Sequence, residues 1–464
     1  MQENLMKIVT MNYYEIAKVY REGLSDMKIA VAGTGYVGLV TGSMPASKGH
    51  TVVCVDVDDK KIAKMQRGES PIYEPGLPEL MHEYRNNITY TTDYKMAYGD
   101  AEVIFIGVGT PEKKDGSANL KYVYAVAEQI AESVSEKCIV VLKSTVPIGT
   151  NDRIEAYIRE HMAEGAEVHV ASNPEFLSQG TAVQDTLHPS RIVIGAEEEN
   201  VKEIMLKVYE KFDAPKLCTN RRSAEMVKYA SNDFLALKIS YVNEIANLCE
   251  SVGADIQDVT KGMGFDKRIG NRFLNAGIGY GGSCFPKDTK ALSWLANFND
   301  QELKTIKAAI EVNERQKLRL IKKAKKYYEN FTDLKVAVLG LTFKPGTDDL
   351  REAPSLENVP WLLDEGAIVK AWDPVGKENF KRQISGDIQY CETIEDTLRD
   401  IELCFIFTEW EEVKKLDTRS FEKYMKTPII LDGRNCYDME AFNGMKVIYD
   451  SIGRPCVNNL KKEN

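Results

Sequence analysis

Short apolar runs recur along the chain, and each ends in a glycine, a small polar residue or an acid. "KIAVAGTG" runs straight into a glycine turn, and "TVVCVDVD" ends on Asp56. "AEVIFIGVGTP" (101–111), "CIVVLKSTVPIGT" (138–150) and "HVASNPEFL" (169–177) repeat the pattern. Continuous apolar runs of this kind suit strands covered on both faces by helices. The pattern restarts at "LKVAVLGLTFKPGTDD" and continues through "AIVKAWDP" (367–374), "ELCFIFTEW" (402–410) and "PIILDGRN" (428–435). Between the halves, residues 223–255 read as one long helix, capped by Ser223 and ended by Gly253. Its apolar residues fall on nearly every face, which predicts burial between domains.

The fold class that follows is α/β, with two Rossmann-like doubly wound domains joined by a long central helix. The expected divisions are 1–26 as an N-terminal extension, 27–222, 223–330 as a central helical segment, and 331–464. In the extension, "NYYEIAKVYREG" could form a short helix. One local conflict is Pro45, inside a helix expected from about Gly35 to Lys48. Proline removes a helical donor and clashes one turn back. A kink or an early end is expected near Thr41–Pro45.

Length and charge narrow the function. A chain of 464 residues holds two or three domains. Its net charge of −10 gives no general attraction for nucleic acid or anionic membrane. An anionic ligand must be held by local cations. No apolar run approaches the roughly 20 residues that span a bilayer, and no signal-peptide core is seen. Nine cysteines without a C-x-x-C, and five histidines without a ligand spacing, predict reduced thiols in a cytoplasm and no metal site.

The first glycine turn is a G-x-G-x-x-G: Gly33, Thr34, Gly35, Tyr36, Val37, Gly38. It follows a strand and opens a helix, and Asp56 closes the next strand. That context marks a dinucleotide site. Asp56 accepts from ribose hydroxyls and repels a 2′-phosphate, so the cofactor expected is NAD. Thr110, Thr145 and Glu175 stand at strand ends that face one crevice. The second half replaces the glycine fingerprint with a longer turn holding Lys344 and Arg351, which suits a second anionic ligand.

The remaining chemistry lies in the middle. Lys228 and Asn232, four apart, share one helix face. "GIGYGGSCFPKD" (277–288) places Cys284 in a glycine run beside Lys287 and Asp288. A thiolate adds to an aldehyde, hydride loss gives a thioester, and water releases an acid. Lys228 and Lys287 are both candidates to favour the thiolate. Lys228 with Asn232 could stabilise an oxyanion. Asp288 and Glu175 are candidate bases for water.

Eight motifs in order over about 27–455 carry a resemblance: "KIAVAGTGYVGLV", "IYEPGL", "VGTP", "STVPIGT", "NPEFL", "EMVKYASN", "GYGGSCFPKD" and "FKPGTDDLREAP". By these the chain resembles the UDP-glucose/GDP-mannose dehydrogenase family. The resemblance implies two NAD-dependent oxidations of a sugar C6 alcohol to a carboxylate. UDP-glucose, giving UDP-glucuronate, is favoured by the "GGSCFPKD" form. A sister activity on UDP-N-acetyl-hexosamine or GDP-mannose shares the fold and mechanism. A non-catalytic NAD-binding protein is disfavoured by the intact Cys284, Lys228, Asn232 and Asp288.

By the same likeness Cys284 is the nucleophile, and Lys228 and Asn232 hold the oxyanion. Asp288 and Thr145 order water, with Glu175 close by. Lys61, Thr110, Lys287 and Arg351 join the glycine loop at the cofactor, with Thr145 and Glu175. Phe176, Leu177, Arg268, Asn275, Gly279, Tyr280, Gly281, Phe285, Lys344 and Arg434 join Glu175, Lys228 and Asn232 around the substrate. In the family the arginine at the position of Arg268 often reaches a neighbouring subunit's site, which implies a homodimer through the central helix. Two positions depart from the pattern. Gln179 stands where a glutamate is usual, and a glutamine is no base. Pro45 replaces a helix-compatible apolar residue.

Overall fold

The computed structural model describes residues 26–460. The helix expected at "NYYEIAKVYREG" lies outside them. The first sheet has eight strands: β1 (Lys28–Ala32), β2 (Thr51–Val55), β3 (Ile88–Thr91), β4 (Val103–Ile106), β5 (Lys137–Leu142), β6 (Glu167–Ser172), β7 (Ile192–Gly195) and β8 (Lys216–Thr219). Their order is 3-2-1-4-5-6-7-8, parallel except between β6 and β7. The second sheet has β9 (Lys335–Leu339), β10 (Ile368–Trp372), β11 (Ile388–Tyr390), β12 (Leu403–Ile406), β13 (Ile429–Asp432), β14 (Ile448–Ser451) and β15 (Val457–Asn458). Its order is 11-10-9-12-13-14-15, with β15 antiparallel. Six strands of each sheet thus take the doubly wound order 3-2-1-4-5-6.

Alternation explains why each sheet is covered twice. Ile29 and Val31 of β1 enter one apolar cluster, while Ala30 and Ala32 enter another on the opposite face. In β9, Val336 and Val338 point one way and Ala337 and Leu339 the other. A parallel strand with two covered faces needs apolar residues at successive positions. Register then aligns the strand ends that matter. Ala32 pairs with Val55 and with Ile106, and Leu142 with Ile106 and Ser172. The loops after β1, β2, β4, β5 and β6 therefore leave the sheet at one level, where ligands sit in such folds.

The first helix, Tyr36–Ala46, carries Pro45 in its last turn. The helix ends early, beside Pro45, as expected. It continues one residue past the proline and falls short of Lys48. So close to the end, a missing donor costs little, because few helical bonds lie beyond it. The Pro45 carbonyl instead closes the turn, accepting from the amides of Lys48 at 3.0 Å and His50 at 3.2 Å.

The central helix spans Arg221–Val252, about 48 Å at 1.5 Å per residue. Its cap is Asn220, not Ser223. The Asn220 side chain accepts from the Ser223 amide at 2.7 Å, so Ser223 lies inside the first turn. Gly253 ends it with φ +78°, as a left-handed cap requires. Burial on every face is also corrected. Met226, Phe234, Tyr241, Leu248 and Val252 are exposed, Phe234 by 61%. Phe234, Tyr241 and Leu248 are seven apart and so form one stripe.

Candidate active site

The cofactor loop is shaped by close approach. Gly33 takes φ +91° and donates its amide to the Val55 carbonyl at 2.7 Å. A Cβ on Gly38 would stand 2.0 Å from the Gly33 carbonyl oxygen. A Cβ on Gly35 would meet nothing within 4 Å. Gly35 therefore faces open space at the helix start, where the first-turn amides lack intrahelical partners. That cradle fits a pyrophosphate. Asp56 accepts from the Thr34 amide at 2.9 Å and hydroxyl at 2.6 Å. Burial pushes its carboxyl up, but the Thr34 bonds outweigh this and hold it below the usual range. Lys61 stands 3.8 Å away, so an anionic Asp56 remains beside the loop. The residues present fit NAD. Tyr36 departs from the loop's other members: its hydroxyl donates to Asp348 of the second half at 2.7 Å.

A second cluster gathers on the central helix. Lys228, 3% exposed, places its Nζ 2.9 Å from Oε1 of Glu175, 5% exposed. Burial favours loss of the Lys228 proton, but Glu175, Cys284 and Asp288 outweigh it and raise the group. Four residues on, Asn232 Nδ2 donates to Asp288 Oδ2 at 2.7 Å. Asp288 is fully buried and also accepts from Lys287 Nζ at 2.5 Å. Lys287 reaches the Thr110 hydroxyl at 3.5 Å, and that hydroxyl donates to the Thr145 carbonyl at 2.8 Å. These strand ends and the middle helix thus meet.

Cys284 sits in this cluster as the N-cap of the helix Phe285–Phe298. Burial pushes its thiol up; Glu175 and Asp288 add to that, and Lys228 and Lys287 oppose it. Lys344 and Arg351 also feel its charge. The helix dipole at an N-cap further favours a thiolate. Ser283 Oγ lies 3.7 Å from Sγ.

The glycine run is held by side chains that the sequence reading missed. Asn243 accepts from the Gly277 amide at 2.9 Å, and Gln316 donates to its carbonyl at 2.7 Å. Asn313 grips Tyr280 at both ends, accepting from its amide at 2.8 Å and donating to its carbonyl at 3.0 Å. Gly279 has φ +89°, and its Cβ would stand 2.7 Å from Asn313 Oδ1. A Cβ on Gly281 would lie 2.4 Å from the Glu352 carbonyl oxygen. The glycines therefore pack the loop against its supports. Asn243 had one available signal: it lies eleven residues after Asn232, three helical turns along the same face.

The second half approaches through cations. Arg434 donates to the carbonyls of Phe407 at 2.8 Å, Gly279 at 3.1 Å and Phe343 at 3.2 Å. It thereby ties the glycine run to the 343–351 loop. Lys344 Nζ donates to Ser178 Oγ of the first half at 2.7 Å, and burial lowers its hold on a proton. A cavity of about 330 Å³ opens beside them, lined by Asn275, Gly277, Gly279, Glu409, Lys414 and Arg434 among others. Phe285 packs edge-on to Tyr280 at 5.9 Å. Phe176 lies under Arg191 at 3.8 Å and Lys228 at 5.5 Å, while the Leu177 amide donates to Glu175.

Three further residues make no side-chain bond to this cluster among the described residues. Arg268 is exposed and bonded to Asp266. Arg351 pairs with Asp349. Gln179 is buried with no side-chain bond to the cluster among the described residues. Asp373, the echo of Asp56, is fully buried. It accepts from the amides of Leu341 at 2.7 Å and Gly376 at 2.6 Å and from Trp410 Nε1 at 3.1 Å. The second half thus uses that acid to build its own loop.

Comparison with known proteins matches this architecture piece by piece. Residues 27–213 match the NAD-binding domain of the UDP-glucose/GDP-mannose dehydrogenase family, 222–315 its central domain, and 337–439 its UDP-binding domain. The UDP-glucose 6-dehydrogenase YwqF of Bacillus subtilis is 47% identical over 93% of this chain and 98% of its own. The UDP-glucose 6-dehydrogenase of Rhizobium meliloti is 44% identical over 92% of this chain and 100% of its own. Among solved structures, a UDP-glucose dehydrogenase from Pyrobaculum islandicum superposes with a TM-score of 0.87 at 37% identity, over 93% of this chain and 99% of that one. Family match, cofactor cradle and whole-chain superposition agree: this chain is an NAD-dependent nucleotide-sugar 6-dehydrogenase belonging to the UDP-glucose/GDP-mannose dehydrogenase family.

Proposed function

We propose that the substrate is UDP-glucose and the product UDP-glucuronate, formed through a covalent bond to Cys284. The observation that carries this is the cluster around Cys284: a thiol at a helix N-terminus that feels the charges of Glu175, Lys228, Asp288 and Lys287, with Asn232 bonded to Asp288. The choice of sugar rests on the relatives, named as UDP-glucose 6-dehydrogenases at 40–47% identity.

The 27–222 segment holds the cofactor at Gly33–Gly38 and Asp56, and 331–464 with the glycine run holds the UDP-sugar. Bound NAD supplies the hydride acceptor. The first oxidation turns the C6 alcohol into an aldehyde. Cys284 as thiolate forms a C–S bond to C6, and the thiohemiacetal oxygen is stabilised by Lys228 Nζ and Asn232 Nδ2. Loss of a second hydride gives a thioester. Asp288, with Thr145 and Glu175 near, orders the water that adds to the carbonyl. Collapse of the adduct breaks the C–S bond and returns the thiol, leaving the carboxylate. Lys228, more central to the cluster than Lys287, is the lysine we assign to tuning the thiol.

The exposed stripe Phe234, Tyr241 and Leu248 supports a homodimer through the central helix, with Arg268 directed to the partner's site. No described helix is long and apolar enough to cross a membrane, and all nine cysteines are free. We assign the enzyme to the cytoplasm.

Product stoichiometry tests the reading. Two NADH per acid from UDP-glucose support it. One NADH per turnover, or faster turnover of a UDP-N-acetyl-hexosamine or GDP-mannose, overturns the mechanism or the sugar respectively.

A further inference from the structure

Next to Asn232 on the central helix stands Asp233, 2% exposed, and neither of its carboxylate oxygens has a hydrogen-bond partner among the described residues. A carboxylate buried without donors is costly, whereas its protonated form loses far less on leaving water. Among the described residues no cation pairs with it, and the charge acting on it is that of Asp288. On its own helix, one turn earlier, lies Tyr229, whose buried hydroxyl is also unpartnered; beyond it lies Glu225. From the helix Phe285–Phe298 the facing charge is Asp288, of like sign. From the glycine run comes Tyr280, with Glu314 and Lys317 of the helix Lys304–Lys317 behind it. Asp288 differs in its partners. It takes Asn232 Nδ2 on one oxygen and Lys287 Nζ on the other, and both donors favour its anion.

We propose that Asp233 and Asp288 hold one proton between them, that Asp233 carries it, and that Asp233 is thereby a positioning residue that keeps Asp288 anionic and aligned. The asymmetry of donors assigns the proton: two donors on one carboxyl, none on the other. Burial, with Asp288 adding to it, pushes the Asp233 carboxyl up to about 8, in the same direction as the geometry. Ionising Asp233 would place a second buried negative charge beside Asp288. That charge would strengthen the hold of Cys284 on its proton and pull Lys287 out of its bridge.

The activity arm of this inference rests on the thioester reading, and the spectroscopic arm does not. The full-length enzyme labelled with 4-13C-aspartate should show one buried aspartate carboxyl titrating near pH 8 and absent from Asp233→Asn. Should Asp233→Asn fail to fold, Asp233→Glu removes the same labelled resonance. In steady state with UDP-glucose, kcat of the wild type should break downward near that pH, and Asp233→Asn should lose the break. An Asp233 carboxyl already ionised at pH 6 overturns the proposal, as do superimposable pH profiles. Failure of the thioester reading is separate: Cys284→Ser would then turn over, with the Asp233 resonance unmoved.

Discussion

Lys228 Nζ lies 2.9 Å from Glu175 Oε1, an ion pair between a central-helix turn and the loop after β6, with both partners almost out of water. Such a pair has paid the desolvation of two charges, so removing one partner leaves the other uncompensated. Lys228→Met should destabilise the protein by about 3–5 kcal/mol. The double variant Lys228→Met/Glu175→Gln should recover much of the loss in urea unfolding. Two additive single effects would show that the pair is not coupled.

Cys284→Ser separates binding from chemistry. Acid formation should fall by on the order of 10³ or more, while calorimetry still detects NAD and UDP-glucose. Wild-type kcat in this variant would exclude the thioester.

The glycine loop offers two unlike failures. Gly38→Ala drives a Cβ into the Gly33 carbonyl and should cost about 1–3 kcal/mol or more of stability. Gly35→Ala meets no protein atom, so its melting temperature should stay near wild type. Its NAD affinity should fall, because the added methyl enters the pyrophosphate's space. Equal NAD affinity in Gly35→Ala and wild type would remove the phosphate from this cradle.

Stability should carry a pH signature from Asp233. Its folded value is about 8, against about 3.9 for an unfolded aspartate. Between the two, the folded chain keeps a proton that the unfolded chain has released. Its contribution is therefore whole below the lower value and lost as pH rises to the upper one. The unfolding free energy of the wild type minus that of Asp233→Asn should decline across this window and level off above it. A flat difference would contradict the shift.

Phe234→Glu should halve the mass seen by light scattering if the exposed stripe is a subunit contact. It places a charge on an apolar surface that already faces solvent in the single chain, so the monomer should still fold. An unchanged mass would put the contact elsewhere.

The sequence was most legible where backbone chemistry forces a residue type. Gly33 and Gly38 are dictated by a left-handed turn and a carbonyl contact. Lys228, Asn232, Cys284 and Asp288 were visible as polar groups at helical spacing or in a glycine run. What stayed hidden depended on neighbours distant in sequence. Asn313 and Gln316 look like ordinary surface amides until the glycine run is laid against them. Asp233 reads as one polar residue among several, because burial and the lack of donors are properties of packing. The apolar central helix read as buried throughout; its composition does not tell which faces the two halves cover, and Phe234, Tyr241 and Leu248 stay exposed. Asp373 resembled Asp56 by position, yet its oxygens are consumed by its own loop.

The central helix has a consequence as an instrument of measure. Near its start, Glu225 accepts the amides of Gly149 at 2.5 Å and Asn151 at 2.9 Å from the first half. Near its end, Glu250 accepts the amide of Gly453 from the second half at 2.8 Å. Those anchors are 25 residues apart, about 38 Å along one rod, with Lys228, Asn232 and Asn243 as graduations between them. Adding a single residue between Asn232 and Asn243 would rotate one end against the other by about 100°. Every contact residue would keep its identity and lose its target. The chain's length over this stretch is therefore as much a part of the catalytic machinery as any side chain on it.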